Sequence, residues 1–335
     1  MDAAFRLRSA RSRALALAIG AVLVLAACGA SDTVRITIPP DATASAQPPA
    51  SASPTPAPTA AFPVTLVDDE GTSVEIAAEP QRIVSLTPAA TEILFAIGAG
   101  DRVVAKVEDV TPYPPEADDL PVVATFAGVE VERIVALEAD LVVAGGVNFT
   151  PPDAVEQLRR VGVPVVVVYP DTTDGTLRGI ELIGDAAGAG REARALTAEM
   201  QATFAALAAL TANLPKPRVF YEIDATNKIY TPAEGSVYAE VLRLAGADPI
   251  LTDESYEISL EELVAADPEI IVLGDAAYGV TAEQVGRRPG WGGMTAVRDG
   301  AIRAVDDTLV TRPGPRLVDG LRALIAAIHP DVELP

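Results

Sequence analysis

The sequence contains very few of the residues that cross-link a protein or coordinate a metal. Its single cysteine, Cys28, excludes an intrachain disulfide. Its single histidine, His329, cannot supply the imidazole-rich shell typical of protein zinc sites, so we expect no bound metal and no resident cofactor. His329 stands near the chain end and is interpreted as a surface or packing residue.

Positive charge is scarce as well. The 335 residues include 25 lysines and arginines against 47 aspartates and glutamates, for a formal net charge of −22. Phosphate groups would be repelled by such a chain, which excludes nonspecific nucleic-acid binding.

Motifs of catalysis are missing. No Gly-x-Gly-x-x-Gly or Walker loop follows a predicted strand, and no serine or cysteine nucleophile has a histidine partner. The carboxylates are numerous, but none forms a recognisable catalytic pair. We therefore predict that the protein is not an enzyme.

The first 27 residues have the layout of a secretory signal peptide. Four arginines between positions 6 and 13 precede an uncharged run of small and apolar residues at 14–27, which is short for a membrane span. The run ends in Leu25-Ala26-Ala27-Cys28, which resembles the lipobox of bacterial lipoproteins and implies cleavage before Cys28 and its acylation. An uncleaved anchor with a chance cysteine is the alternative, and both place the protein outside the cytoplasmic membrane.

Residues 28–61 are predicted to be a linker that follows the lipid anchor. Proline, alanine, serine and threonine dominate positions 39–61, and such a segment buries too little surface to offset its ordering entropy. Frequent proline favours extended polyproline II, so the segment is interpreted as a semi-stiff tether.

From about Phe62 short aliphatic runs alternate with helical stretches, which predicts parallel α/β sheets. The run at 163–169 has no polar alternation, as expected of a strand covered on both faces. Ser259 with Glu262 three residues later predicts a capping box. Strands are predicted at 82–86, 102–107, 121–124, 139–144, 163–169, 219–223, 270–273 and 301–305, and helices at 89–97, 174–187, 191–213, 236–245, 260–266 and 315–328.

The helix at 191–213 is long enough to join two lobes, since 1.5 Å per residue gives roughly 34 Å. Apolar residues at three-to-four spacing predict one buried stripe, formed by Leu196, Met200, Phe204, Leu207 and Leu210. The predicted fold is therefore two Rossmann-like α/β lobes, at 62–190 and 214–335, bridged by this single helix.

A short pattern occurs twice. Glu132 and Glu261 each open a helical turn that is followed by an acidic break and an apolar strand. Their separation far exceeds the ~20–50-residue period of solenoids, so two similar lobes are indicated. A cleft between two lobes is a preferred place for a ligand.

Several motifs together resemble the cobalamin and iron–siderophore family of ABC-transporter substrate-binding proteins. The resemblance covers nearly everything from Phe62 to His329, and its motifs are short but specific in their order: residues 80–92, 113–115, 132–137 and 243–246. It implies two α/β lobes, with residues 191–213 as the rigid bridging helix. It also implies a corrinoid, a ferric siderophore or haem as the transported ligand.

The resemblance further implies that Glu132 and Glu261 dock onto arginines of the permease. Paired charges across an interface fix register and raise association rates. The alternative is that each carboxylate only offsets its own helix dipole, which is worth ~0.3–1 kcal/mol. The expected partners are the permease subunits, the membrane through the N-terminal lipid, and a small metal chelate; the protein is expected to be a monomer.

Loops after the strands should supply the cleft. Phe126 lies where corrinoid-binding relatives tend to have an aromatic residue. Arg312 with Arg316 would suit an anionic siderophore or form a structural loop, and Tyr230 or Tyr278 could ligate haem iron. The predicted ligand-binding residues are Thr87, Pro88, Tyr113, Phe126, Phe149, Tyr230, Tyr278 and Arg312.

We therefore expect a lipid-anchored protein of the cell envelope that captures cobalamin with little hinge motion and delivers it to an ABC permease. A ferric siderophore or haem is the alternative ligand. An envelope sensor or accessory protein without a transport role is the alternative class. Whether the envelope has one membrane or two stays open.

Overall fold

Helices and buried aliphatic strands alternate along the chain, which confirms the predicted mixed α/β class with parallel-rich sheets. The structure is a computed structural model that describes residues 62–125 and 127–335. The predicted signal peptide, lipidation site and linker, residues 1–61, and Phe126 lie outside the described residues.

The first lobe is built on a six-stranded sheet of order β6-β5-β4-β3-β7-β8, preceded by an antiparallel hairpin of β1 with β2. All neighbours in the sheet are parallel except β5 and β6. The strands are β1 (Val64–Val67), β2 (Ser73–Ile76), β3 (Ile83–Ser85), β4 (Val103–Val107), β5 (Val122–Thr125), β6 (Gly128–Val129), β7 (Leu141–Ala144) and β8 (Val165–Val167).

Four helices cover this sheet and a fifth leaves it. Thr87 caps the first helix by accepting the Ala90 amide at 3.1 Å, and Pro88 occupies the first turn, as its sequence predicts. The helices are α1 (Pro88–Ala96), α2 (Val131–Ala136), α3 (Pro152–Arg160), α4 (Thr173–Ala187) and α5 (Gly190–Thr211).

The second lobe carries a parallel four-stranded sheet of order β11-β9-β13-β14 and a small antiparallel ribbon of β10 with β12. Its strands are β9 (Arg218–Glu222), β10 (Ile229–Tyr230), β11 (Asp248–Pro249), β12 (Glu257–Ile258), β13 (Ile270–Leu273) and β14 (Ile302–Ala304). Its helices are α6 (Val237–Leu244), α7 (Leu260–Ala266), α8 (Ala282–Gly286), α9 (Thr295–Arg298) and α10 (Leu317–Ile328).

Three apolar clusters cover the two sheets. A large cluster lies between the lobes and contains Val143 and Val166 of the first sheet together with Tyr221 and Val272 of the second. A second cluster covers the outer face of the first sheet, and a third does the same for the second sheet. Residues 165–167 are fully buried, with alternate side chains in different clusters, which confirms the strand covered on both faces.

The long helix α5 joins the lobes through the large cluster. It packs against α4 on one side and against α6 and α10 on the other, and its 22 residues span roughly 33 Å. The predicted residues Met200, Phe204 and Leu207 are buried. The prediction for Leu210 is wrong: the helical period turns its side chain outward to 39% exposure, and Thr211 takes the buried place by donating its hydroxyl to the Leu244 carbonyl at 2.8 Å.

The repeated sequence pattern corresponds to a repeated set of contacts. In the first lobe the Arg82 amide donates to Asp140 at 2.8 Å, and the Arg82 side chain donates to the C-terminal carbonyl of α2. In the second lobe the Arg218 amide donates to Glu269 at 3.0 Å, and the Arg218 side chain donates to the C-terminal carbonyls of α7. A cation at a helix C-terminus is favourable, and here it fixes each helix to the start of a central strand.

Candidate ligand-binding cleft

A cleft of about 670 Å³ opens between the two lobes at the carboxyl ends of the central strands. Loops after β3, β7 and β8 form its first wall, and residues around β10, α6 and the segment before α10 form its second. The lining consists of Thr87, Pro88, Ala89, Ala90, Ile93, Asn148, Phe149, Val168, Tyr169, Pro170, Asp171, Ile183, Ile223, Tyr230, Ser236, Val237, Tyr238, Tyr256, Thr311, Arg312 and Pro313.

Five of the predicted ligand-binding residues are brought together in this lining: Thr87, Pro88, Phe149, Tyr230 and Arg312. The three of the first lobe follow strands of its sheet, as the strand-end rule for parallel sheets requires. Tyr230 instead ends β10 of the antiparallel ribbon, and Arg312 lies in the segment between β14 and α10. Their contact with a ligand stays a prediction.

Tyr113 and Tyr278 do not belong to the lining. The guanidinium of Arg316 stacks on the Tyr113 ring at 4.1 Å from its centroid, so that ring is occupied by a partner within the protein. Tyr278 ends a short 3₁₀ turn, before Gly279 in the left-handed region, and is 70% exposed.

Aromatic side chains are concentrated at the cleft. Four of the seven tyrosines of the chain line it, and Phe149 joins them. Sequence reasoning missed three of these: Tyr169, Tyr238 and Tyr256. Tyr169 ends the predicted strand at 163–169, so the rule that found Phe149 would also have found it; Tyr238 and Tyr256 carry no comparable signal.

Two glycines allow the first aromatic wall to form. A Cβ on Gly145 would lie 2.7 Å from the Thr87 side chain, and one on Gly146 would lie 2.7 Å from the Tyr169 ring. Tyr169 is also fixed by two hydrogen bonds to Asp69: its amide donates to the Asp69 carboxylate at 2.8 Å, and its hydroxyl donates to the Asp69 carbonyl at 3.3 Å. The ring position is therefore set by close packing before any ligand arrives.

The second wall is fixed by its own hydrogen bonds. The hydroxyl of Tyr238 donates to the Thr311 carbonyl at 3.2 Å. Burial, with smaller contributions from Tyr256 and Asp307, raises the pKa of Tyr238 to about 12. This phenol therefore stays neutral at physiological pH and adds no negative charge to the cleft.

Arg312 is the only cation among the described lining residues, and it is neutralised within the protein. Its guanidinium makes two bonds to Asp109, at 2.8 and 2.9 Å, and one to Glu92 at 3.0 Å. Arg316 makes two more bonds to Glu92, which is only 2% exposed. Two cations of the second lobe thus balance two carboxylates of the first, and the set joins the lobes beside the cleft.

A second buried ionic group lies behind the cleft lining, at the carboxyl end of β9. Arg288 makes paired bonds of 2.6 and 2.7 Å to Glu222, whose side chain is fully buried. Burial, and then the charge of Glu222, raises the pKa of neighbouring Asp275 to about 7, against the opposing effect of Arg288. Asp275 is therefore close to half protonated near neutral pH.

Within residues 62–125 and 127–335, no set of three or more His, Cys, Asp or Glu side chains is arranged to hold a metal ion. The same part of the chain has no helix that is both long and apolar enough to span a bilayer.

The fold and cleft correspond to a known family. The model of the periplasmic binding protein family matches residues 83–309, from the first strand of the first sheet to the segment before α10. The chain belongs to the periplasmic binding protein family. Members of this family bind solutes and are not enzymes, in agreement with the missing catalytic motifs.

Individual relatives give the same result. The uncharacterized ABC transporter substrate-binding lipoprotein YvrC of Bacillus subtilis is 34% identical to this chain. The alignment covers 82% of this chain and 88% of the Bacillus protein. The crystal structure of the vitamin B12 binding protein BtuF of Vibrio cholerae is 26% identical with a TM-score of 0.65, over 75% of this chain and 97% of that one. A heme binding protein from Pseudomonas aeruginosa is 30% identical with a TM-score of 0.65, over 76% and 94%.

The two glutamates of the sequence repeat occupy equivalent places in the two lobes. Glu132 lies in the first turn of α2 and Glu261 in the first turn of α7, and both are exposed. Among the described residues neither side chain takes part in a salt bridge. Both carboxylates are therefore available to an external partner.

Proposed function

We propose that this periplasmic binding protein is the extracytoplasmic component of an ABC importer and that its solute is a corrinoid such as cobalamin. The observation that carries the proposal is the cleft itself, which has four tyrosines and a phenylalanine in its lining and a neutralised arginine. A large flat macrocycle is complementary to such walls, since aromatic faces stack on planar ligands and few charges must be desolvated. The name of the Bacillus relative supports the role in an ABC transporter, and that of the Vibrio relative supports a corrinoid as the solute.

Charge argues against an anionic ferric siderophore. Such a ligand needs a cation that is free to pair with it, and Arg312 already holds Asp109 and Glu92. Taking Arg312 away would leave the largely buried Asp109 without its cation and Glu92 with Arg316 alone. Leaving a buried charge without its partner costs several kcal/mol.

Haem is the second candidate, because Tyr230 presents a phenol to the cleft and could ligate iron. The similarity to the Pseudomonas heme binding protein favours this alternative. Haem carboxylates would meet the same shortage of free cations, so we rank it below a corrinoid.

The remaining proposals concern how the protein is anchored in the cell envelope and how it meets the permease. We propose that cleavage before Cys28 leaves a lipid anchor, that residues 28–61 form a tether, and that residues 62–190, 191–213 and 214–335 are two lobes with their bridging helix. Glu132 and Glu261 then dock onto the permease. The name of the Bacillus relative supports the lipoprotein assignment.

Calorimetric titration tests the ligand. The full-length chain, purified in mild non-ionic detergent, is titrated with cyanocobalamin, haemin and an anionic ferric tris-catecholate. We expect one-to-one binding of cyanocobalamin that is at least tenfold tighter than binding of the other two, with Phe126 as the next residue to substitute.

Binding of haemin alone would overturn the corrinoid assignment. Tyr230→Phe would then separate iron ligation from packing, because only a phenolate ligand makes the haem absorption spectrum depend on that hydroxyl. Absence of heat with all three probes would favour an accessory or sensor protein.

A further inference from the structure

Three non-glycine residues of the described chain have left-handed backbone conformations: Glu138 at φ 53°, Tyr256 at φ 61° and Asp267 at φ 44°. Glu138 and Asp267 follow the ends of α2 and α7, where a left-handed residue commonly ends a helix. Tyr256 is different, because it lies between β11 and β12 and ends no helix. For a bulky aromatic residue this conformation is a genuine outlier.

The surrounding hydrogen bonds hold Tyr256 in this conformation from both sides. Its amide donates to the Asp253 carbonyl at 3.3 Å, and its carbonyl accepts the Thr231 amide at 2.9 Å. The next residue, Glu257, pairs with Tyr230 in the β10–β12 ribbon. Glycine or asparagine would adopt the same backbone at lower cost, so the tyrosine is not explained by the turn.

The position of the Tyr256 side chain explains why a tyrosine occupies this turn. It lines the cleft beside Tyr230 and Tyr238 and is only half-buried. Residues with strained backbones cluster at functional sites, where the surrounding structure fixes the side chain in its working position. A ring that is fixed in advance loses little conformational freedom when a ligand binds.

We propose that Tyr256 is a specificity-determining residue of the cleft, whose strained backbone holds its ring in position for a flat ligand. This inference rests on the proposed function, since it assigns a residue to the same cleft. Tyr256 complements Tyr169, which is preset by packing on Gly146 in the other lobe. Each lobe thus contributes an aromatic ring whose position does not depend on the ligand.

The test exploits the opposite effects of strain and contact. Tyr256→Asn removes the ring and relieves the backbone, because asparagine tolerates the left-handed region. In the full-length chain we expect its Tm to rise by about 2 °C, and its affinity for cyanocobalamin to fall about tenfold. Tyr256→Phe keeps the ring and should keep the affinity within about twofold.

Glu138→Asn is the matched control, because it relieves a left-handed residue that does not belong to the cleft lining. Its Tm should rise in the same way while its affinity for cyanocobalamin stays at the wild-type value. The wild type and all variants are also titrated with haemin and an anionic ferric tris-catecholate.

Two outcomes overturn the role of Tyr256 alone. One is a Tyr256→Asn variant that keeps wild-type affinity for a probe that the wild type binds. The other is a Tm that falls in this variant, which would make Tyr256 a packing residue. If the wild type binds none of the three probes, the proposed function fails, and the role of Tyr256 fails with it.

Discussion

At the scale of single residues, the arginines beside the cleft show how an ionic group acquires its role from partners far away in the sequence. The partners of Arg312 are Glu92 and Asp109, more than 200 residues earlier. Glu92 lies on the buried face of α1, where a single carboxylate would be costly to bury. The two arginines pair with this carboxylate, so neither is free to pair with an anionic ligand.

Asp275 gives a pH prediction. Its folded-state pKa of about 7 is above the ~3.9 of an unfolded aspartate, so its contribution to stability is complete below about pH 4 and lost as pH rises through 7. Asp275→Asn keeps a neutral donor beside Glu222. We expect the free energy of unfolding of the variant, relative to wild type, to increase by about 1–2 kcal/mol between pH 5 and pH 8, allowing for solvent screening.

Denaturant unfolding at pH 5, 6, 7 and 8 measures this difference. Asp331→Asn, at an exposed position near the chain end, is the control and should show no pH-dependent difference. An equal gain for Asp275→Asn at pH 5 and pH 8 would contradict a proton held by Asp275.

Five of the 21 residues of the cleft lining could be predicted from sequence at this scale. Thr87 and Phe149 follow aliphatic runs that are recognisable as parallel strands, and strand ends of such sheets meet at one edge. Tyr238 and Tyr256 could not be found, because they reach the cleft from a helix and from a loop whose placement depends on the β10–β12 ribbon. The partners of Arg312 could not be found either, since no local pattern links them.

At the scale of elements, prediction succeeded where a segment is both long and uniformly apolar. Every predicted strand overlaps an observed one, because runs such as 163–169 are buried on both faces. Six strands were not predicted. The strands β6, β10, β11 and β12 have only two residues each, too few for any periodicity. The hairpin strands β1 and β2 have four residues each, alternating between more and less exposed positions rather than forming an aliphatic run. Three helices were also missed. The sequence of α3 is mostly polar, with three buried residues, Ala154, Val155 and Leu158. The helices α8 and α9 have only five and four residues.

The capping box of α7 was predicted and is confirmed. Ser259 Oγ accepts the Glu262 amide at 3.2 Å, and Glu262 accepts the Ser259 amide at 3.0 Å. We expect Ser259→Ala to lower the free energy of unfolding by about 1 kcal/mol, because one amide of the first turn loses its acceptor. Chemical denaturation measures the loss, Ser259→Thr should restore most of it, and an unchanged Ser259→Ala midpoint would contradict the role of the cap.

At the scale of the whole molecule, four features couple the lobes. The large apolar cluster and α5 are shared by both lobes. The arginine–carboxylate group joins the two lobes beside the cleft. In addition, Glu240 of α6 accepts the amide and the hydroxyl of Thr173, at the start of α4, at 2.7 and 2.8 Å. A wide hinge motion would break all of these at once, which supports the prediction of capture with little movement.

The coupling of the lobes also fixes Glu132 and Glu261 relative to each other, and this gives a prediction about delivery. We expect the double variant Glu132→Ala/Glu261→Ala to bind cyanocobalamin with wild-type affinity, because neither residue lines the cleft. In cells that depend on this protein, uptake of cyanocobalamin should fall at least tenfold, because two charge pairs with the permease are lost. Radiolabelled uptake and calorimetry on the same variant measure the two quantities.

Glu75→Ala/Glu156→Ala is the matched control, since it removes two exposed carboxylates of the first lobe from β2 and α3. Its uptake should equal that of wild type, which would separate docking from the general loss of negative charge. Equal uptake by both double variants would instead contradict docking through Glu132 and Glu261. Together with tight binding in the calorimeter, that result would place the protein among accessory or sensor proteins that keep the binding fold without delivering a solute.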